Sequence, residues 1–218
     1  MTSCRQKKKW SLIAPVLTMA VVILVSNKLV QFPVEGQLFG VRLAGILTWG
    51  AFTYPAAFLV TDTTNRLFGM GPARRVVVVG FAFGVALTLI AAFGIAAGVS
   101  RSGALSLWQA LFHDPDAFAM LRIALASGSA FLTAQLLDIK VFDVLRRQAW
   151  WKAPAASSLA GSFIDTLLFF FLAFAGTGMP WASWAVGDFC AKLIMIALLL
   201  YPFRLAVRYY PQPLKTTS

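Results

Sequence analysis

Six polar or charged side chains stand inside stretches of sequence that are otherwise apolar. Asn27 and Lys28 close the first such stretch, and Arg122 lies near the start of the fourth. Asp165 sits in the middle of the fifth, and Asp188 and Lys192 lie in the sixth. A charge in hydrocarbon costs about 2.5 kcal/mol or more even on the lenient insertion scale, so such groups persist where they face a partner, a cavity or a ligand. Asp188 and Lys192 are one helical turn apart, and Ser158, Ser162, Asp165 and Phe169 fall on one helical stripe. A serine, a carboxylate and an aromatic ring on one stripe can hydrogen-bond and stack a flat heterocycle. The plainer reading is helix glue: Asp188 and Lys192 as a self-satisfied pair, the serines as packing residues, and Lys28 and Arg122 snorkelling to headgroups. Taken as a set, these residues predict a ligand site.

A second polar group gathers at the opposite ends of the apolar stretches: Asp62 with Arg66 one turn on, then Asn65, Arg74, Arg75, Asp138 and Lys140. Solvated ion pairs at a membrane edge are the plain reading. A cytoplasmic gate built from Asp62, Arg66, Arg74 and Asp138 is the sharper one.

The elements that must position these residues follow from composition. The chain has 218 residues, 59% of them hydrophobic and only 12% charged, with a mean hydropathy of +0.77. About 25% charge is usual in a soluble domain, so this chain has too little polar surface to cover itself in water. A bilayer core takes about 20 apolar residues per helix. Six candidates meet that length: 10–30, 43–61, 76–99, 118–137, 155–176 and 182–201. They are too long and too continuous for barrel strands of about 9–11 alternating residues. The expected fold class is therefore all-α, an integral membrane bundle of six transmembrane helices. Its parts are a basic N-terminal tail over 1–9, the helical domain over 10–203 and a C-terminal tail over 204–218.

The net charge of +11 invites a nucleic-acid reading, but the distribution of charge opposes it. Arg5, Lys7, Lys8, Lys9, Arg66, Arg74, Arg75, Lys140, Arg146, Arg147, Lys152, Arg204, Arg208 and Lys215 fall in alternate loops or tails, while the other side holds Arg42 and Arg101. That asymmetry puts both termini in the cytoplasm. A nucleic-acid site would interleave stacking aromatics with the charge, whereas here Trp10, Trp150, Trp151, Trp181, Trp184 and Tyr201 mark span ends. The sequence Ser26-Asn27-Lys28-Leu29 is a poor signal cleavage site, so the first stretch reads as a retained span. Cys4 and Cys190 fall in different compartments and make no disulfide framework.

Gly80 and Gly84, then Gly94 and Gly98, are spaced for close helix approach, to a helix of this chain or of a second copy. The third loop faces outward. Its Leu105, Trp108 and Phe112 suit an interfacial helix or a lid, and His113 beside Asp114 and Asp116 reads as part of a helix start rather than a metal site. No phosphate loop of the G-x-x-x-x-G-K-[ST] type and no H-E-x-x-H occur, so neither ATP hydrolysis nor zinc proteolysis is expected of the chain. His113 lies in a loop away from Ser162, which argues against a serine nucleophile with a base. No enzyme activity, no cofactor and no metal are expected.

Depth follows from the alternating direction of the spans. Asn27, Asp165, Asp188 and Lys192 converge between the midplane and the outer face, while Gln135 and Asp138 lie toward the inner end of the fourth span. An outward-opening polar pocket suits a protein that captures a solute from outside.

Several longer motifs carry a resemblance. They are Thr61-Asp62-Thr63-Thr64-Asn65-Arg66-Leu67-Phe68-Gly69 followed by Ala73-Arg74-Arg75, and Gln135-Leu136-Leu137-Asp138 running on to Phe142 and Arg146. To these are added Trp150-Trp151 with Pro154 and Ser157, Asp165-Thr166 with Phe169-Phe170-Phe171, Asp188 with Lys192 and Pro202, and Ser26-Asn27. In order and spacing, over most of residues 10 to 205, they resemble the YhhQ-type queuosine precursor transporter family, also called vitamin uptake transporters. Many members of that family carry an acidic residue and a Tyr-Gly where this chain has Asn65 and Phe68-Gly69.

The resemblance implies a six-helix inner-membrane protein that imports 7-cyano-7-deazaguanine, or its aminomethyl relative, for queuosine salvage. It also implies likeness to the substrate-binding subunits of energy-coupling-factor transporters. On that reading Asp165 or Asp188 accepts from the paired donors of a guanine-like edge. Phe169 or Trp184 stacks on the ring, and Lys192, Asn27 or Gln135 donates to the ring carbonyl. The expected partners are a deazapurine solute and membrane lipid, not nucleic acid, with a homodimer left open. Two rivals remain at this level: a binding subunit that needs a separate ATPase module, and a membrane scaffold that transports nothing.

Overall fold

A computed structural model describes residues 12–29, 32–38, 40–45, 47–99 and 115–209. Helix α1 spans Ile13–Leu29. A small antiparallel hairpin, β1 (Gln37–Leu38) and β2 (Val41–Arg42), turns at Gly40, whose φ of 80° suits glycine. A single 3-10 turn over Leu43–Gly45 follows. Then come α2 (Gly50–Thr53), α3 (Pro55–Phe68), α4 (Met70–Val99), α5 (Pro115–Leu145), α6 (Lys152–Phe174) and α7 (Trp181–Tyr209). The chain is an all-α membrane protein. Helices α6, α7 and α4 over Met70–Leu87 are each long and apolar enough to cross a bilayer, and α1 is a shorter apolar helix.

The second span departs from its expected bounds. Residues 43–49 are not one continuous α-helix: Leu43–Gly45 form the 3-10 turn and Thr48 bridges to Pro33. Helix begins at Gly50 and is interrupted at Tyr54-Pro55, where the proline lacks an N–H and starts α3. It then runs past residue 61 to Gly69, whose φ is 90°. Asp62, Asn65 and Arg66 are thus helical residues, not loop residues. The fourth span also runs further, to Leu145, which carries Asp138 and Lys140 onto helix. The last helix continues through Pro202 to Tyr209, beyond the boundary expected at 203.

Packing is inverted relative to a soluble protein. Leu17, Val21, Phe83, Leu125, Phe163, Ile194 and Leu198 are exposed, whereas Asp62, Asn65, Gln135, Asp138, Ser157, Ser162 and Lys192 are buried. A water-facing surface selects the reverse distribution; hydrocarbon accepts this one. Gly80 and Gly84 let α4 approach α1 so closely that an added Cβ would meet Met19 Cγ at 2.6 Å and Ile23 Cβ at 2.8 Å. The partner of this glycine pair is therefore a helix of the same chain. Gly161 of α6 does the same for Phe58 of α3, with Phe58 Cε1 only 2.6 Å from where a Cβ would sit. Met19, Ile23, Ala57, Ala73, Val76, Val77, Phe131 and Ile139 form the main apolar cluster. Leu105, Trp108, Phe112, His113 and Asp114 lie outside the described residues, as do the N-terminal tail and residues 210–218; Gly94 and Gly98 fall where side-chain surroundings are not described.

Candidate functional site

Tyr54, at the junction of α2 and α3, faces the same space as side chains of α5, α6 and α7. A pocket opens there, lined by Thr48, Gly50, Ala51, Tyr54, Ser127, Phe131, Asp165, Phe169, Asp188 and Lys192. It holds about 420 Å3 of empty space, its open mouth included.

Lys192 organises the charged wall. Its ammonium lies 2.8 Å from Asp165 Oδ2, 2.6 Å from Asp188 Oδ2 and 3.0 Å from Thr166 Oγ1. The Thr166 hydroxyl in turn donates to Asp188 Oδ2 at 2.8 Å. An ammonium has three donors, and here all three are engaged. Lys192 therefore holds two carboxylates from two helices in place, and none of its donors is left for a solute. The group carries a net negative charge, with two carboxylates against one ammonium. Asp165 accepts one bond from within the protein and Asp188 accepts two, all through Oδ2. The Oδ1 oxygens have no hydrogen-bond partner among the described residues. Asp165 is 19% and Asp188 16% exposed, while Lys192 is 6% exposed. The carboxylates are more open to the pocket than the ammonium is.

Two aromatic rings line the same space. Phe169 sits edge-on to Phe170 at 5.0 Å between centroids, and Phe131 stacks on Phe81 at 5.4 Å. Both rings are held from behind by other rings, which limits their rotation. The Tyr54 hydroxyl donates to Asn27 Oδ1 at 2.5 Å.

Of the residues expected to bind substrate, Asp165, Phe169, Asp188 and Lys192 line one pocket. Asn27 stands behind it as the partner of Tyr54. Gln135 lies deeper, accepting from Thr61 at 2.5 Å, with its Nε2 buried and unbonded. Trp184 is outside the lining and packs edge-on against Phe174 at 5.4 Å. Sequence reasoning missed Tyr54, Ser127, Phe131 and Thr166. A proline inside an apolar span was the available signal for Tyr54; the others carry none that distinguishes them from packing residues.

The second polar group is arranged otherwise than its spacing suggests. Asp62 is not paired with Arg66, although the two are one turn apart. Asp62 is 2% exposed and accepts from the Ser157 and Ser158 hydroxyls of α6 at 3.0 and 3.2 Å. Arg66 donates instead to the Arg146 carbonyl, and Arg146 donates to the Asn65 carbonyl and pairs with Asp143. Arg74 is exposed. Asp138 is completely buried. Lys28 is also exposed, over the Phe32 ring at 5.5 Å. Arg122 neither snorkels freely nor reaches the pocket. It donates to the Leu172 and Ala175 carbonyls at 2.7 Å each and so caps the end of α6.

Comparison with known proteins agrees with the motifs. A family described as "Putative vitamin uptake transporter" matches over residues 48–207. The "Queuosine precursor transporter" of Escherichia coli is 40% identical over 190 residues, which covers 83% of this chain and 79% of that protein. A "Probable queuosine precursor transporter" of Haemophilus influenzae is 37% identical over 83% of this chain and 79% of its own length, and one of Bacillus subtilis is 27% identical over 79% and 74%. No solved structure matches.

Proposed function

Since the chain belongs to the vitamin uptake transporter family, we propose that it imports a queuosine precursor, 7-cyano-7-deazaguanine or its 7-aminomethyl form, across the bacterial inner membrane for tRNA modification. The protein is a transporter and not an enzyme. The observation that carries the choice of solute is the pocket wall on which Asp165 and Asp188 present carboxylate oxygens beside the Phe169 and Phe131 rings. A guanine-like edge offers adjacent N–H donors, which suit a carboxylate acceptor. A flat ring suits the two phenyl faces. Asp165 is the better reader of that edge, because Asp188 is more fully committed to Lys192 and Thr166.

The remaining parts fit alternating access. The basic asymmetry supports a cytoplasmic position for both termini and for the Arg66–Arg146 tie. That tie joins the end of α3 to the end of α5, and we read it as part of the inner closure, with Arg74 in the headgroup layer beside it. The test is uptake of labelled 7-cyano-7-deazaguanine by cells that lack their own synthesis of it and their own carrier. Expression of this chain should restore queuosine in tRNA from external precursor. Purified chain in liposomes, without an ATPase partner, should transport the same solute; binding without transport would instead indicate a subunit that needs one.

A further inference from the structure

Below the pocket lies a second charged site that solute recognition does not use. Asp62 of α3 and Asp138 of α5 are 2% and 0% exposed. Their carboxyls lie beside each other and beside the Ser157 hydroxyl. The Ser157 hydroxyl lies 3.0 Å from Asp62 Oδ1 and 3.3 Å from the Pro154 carbonyl, and the Ser158 hydroxyl lies 3.2 Å from Asp62 Oδ2. Both oxygens of Asp138 are buried with no hydrogen-bond partner among the described residues. No cation answers this pair among the described residues. Arg66 turns to a carbonyl and Arg146 to Asp143, Lys140 is exposed, and Lys192 is committed to Asp165 and Asp188. From α7 the side chains beside Asp62 are Ile196, Leu199, Leu200 and Phe203.

Two adjacent carboxylates in such a place cannot both be ionised. Among the described residues no group of three or more His, Cys, Asp or Glu side chains is placed to hold a metal ion here. One proton shared between the carboxyls removes the repulsion and gives Asp138 the hydrogen bond it lacks. Ser158 and Asp165 are seven residues apart on α6, so the pair lies about 10 Å inward of the pocket at 1.5 Å per residue. Thr61, Gln135 and Ser162 lie between, all buried, and the Gln135 Nε2 and Ser162 Oγ atoms have no hydrogen-bond partner among the described residues. They form a polar column through an otherwise apolar bundle.

We propose that Asp62 and Asp138 are a proton-binding pair that couples inward proton movement to import. This rests on the transport reading for its solute but not for its proton. The loaded pair is stable only while sealed. Opening the inner side admits water, which solvates two separate carboxylates and lets the proton leave to the cytoplasm with the solute. Reloading takes a proton from the pocket side, along Gln135 and Thr61.

Infrared spectroscopy of the purified protein at neutral pH tests the pair directly. A protonated-carboxyl band is expected, and it should vanish in the Asp62→Asn, Asp138→Asn double variant. If that variant does not fold, either single variant serves, the band shifting as the proton settles on the remaining carboxyl. In proteoliposomes, an acidic exterior should drive labelled 7-cyano-7-deazaguanine to accumulate above equilibrium. Asp62→Asn and Asp138→Asn should each abolish accumulation while leaving solute binding in place. Absence of the band, accumulation that ignores the pH gradient or follows sodium, or accumulation by both variants would overturn the proposal. Failure of the wild type to bind the solute would refute the transport reading alone, since the band would still decide whether the pair holds a proton.

Discussion

Asparagine at positions 165 and 188 should separate recognition from stability, although both carboxylates face the same pocket and the same lysine. Asp165 accepts one internal bond, from Lys192 at 2.8 Å, and is the more exposed of the two. Asp188 accepts from Lys192 at 2.6 Å and from Thr166 at 2.8 Å, so it ties α7 to α6. A hydrogen bond to a charged group contributes about 1.5–3 kcal/mol. Asp165→Asn exchanges one of the two acceptors of a solute-facing carboxylate for a donor. The expected loss is therefore about 10- to 150-fold in affinity, with folding little changed. Asp188→Asn weakens two internal bonds. Breaking a buried pair outright costs about 3–5 kcal/mol, but Lys192 keeps Asp165, so the loss of stability should fall below that range. Ligand titration and thermal melting on the same purified variants read both quantities. Near-normal affinity in Asp165→Asn, or a greater loss of affinity than of stability in Asp188→Asn, would refute this division of roles.

Phe169→Ala should weaken solute binding by about 1–3 kcal/mol, the usual value of one base–aromatic stack, and Trp184→Ala should change it far less by the same titration, because Trp184 lies outside the lining. Gly161→Ala should lower the melting temperature through a loss of about 1–3 kcal/mol from overpacking against Phe58, while Gly71→Ala, with open space around it, should not. Arg122→Gln should lower thermal stability by uncapping the end of α6, with solute affinity retained in titration. A reporter active only in the periplasm, fused at Ser218, should stay silent if the C-terminus is cytoplasmic.

The membrane class and the helices were legible because apolar length is a property of the sequence alone. The charged wall was legible in part for the same reason: Asp188 and Lys192 are one turn apart, and any helix brings them together. The addition of Asp165 to that lysine depends on how α6 rotates against α7, which spacing within either helix does not state. The second span shows the opposite limit. Its proline was visible, but the pairing of Pro33 with Thr48 that keeps its start out of the α-helix is a tertiary outcome. Asp62 and Arg66 mark the clearest failure of local reasoning. Their spacing suits an ion pair, yet α6 supplies Ser157 and Ser158 to Asp62, while Arg66 finds a backbone carbonyl on the far side. Tertiary donors outcompeted the local one.

The two charged sites differ in the one respect that decides their chemistry. At the pocket, Lys192 neutralises one of the two charges and leaves carboxylate oxygens fixed and facing outward. Ten ångströms inward, on the spacing of one helix, Asp62 and Asp138 face each other without any such lysine. A counter-ion held against the carboxylates makes a site that reads hydrogen-bond donors. A pair without one must take up a proton when sealed and can give it up when water enters. The pocket draws its lining from α2, Tyr54, α5, α6 and α7, and the lower pair stands on α3 and α5 against α6, with α7 supplying Asp188 and Lys192 above and an apolar wall below. A movement of α7 that wets the lower pair must also disturb Lys192. Solute release and proton release are then consequences of one motion, and a change that uncouples them should map to the contact between α7 and α6 rather than to either carboxyl group alone.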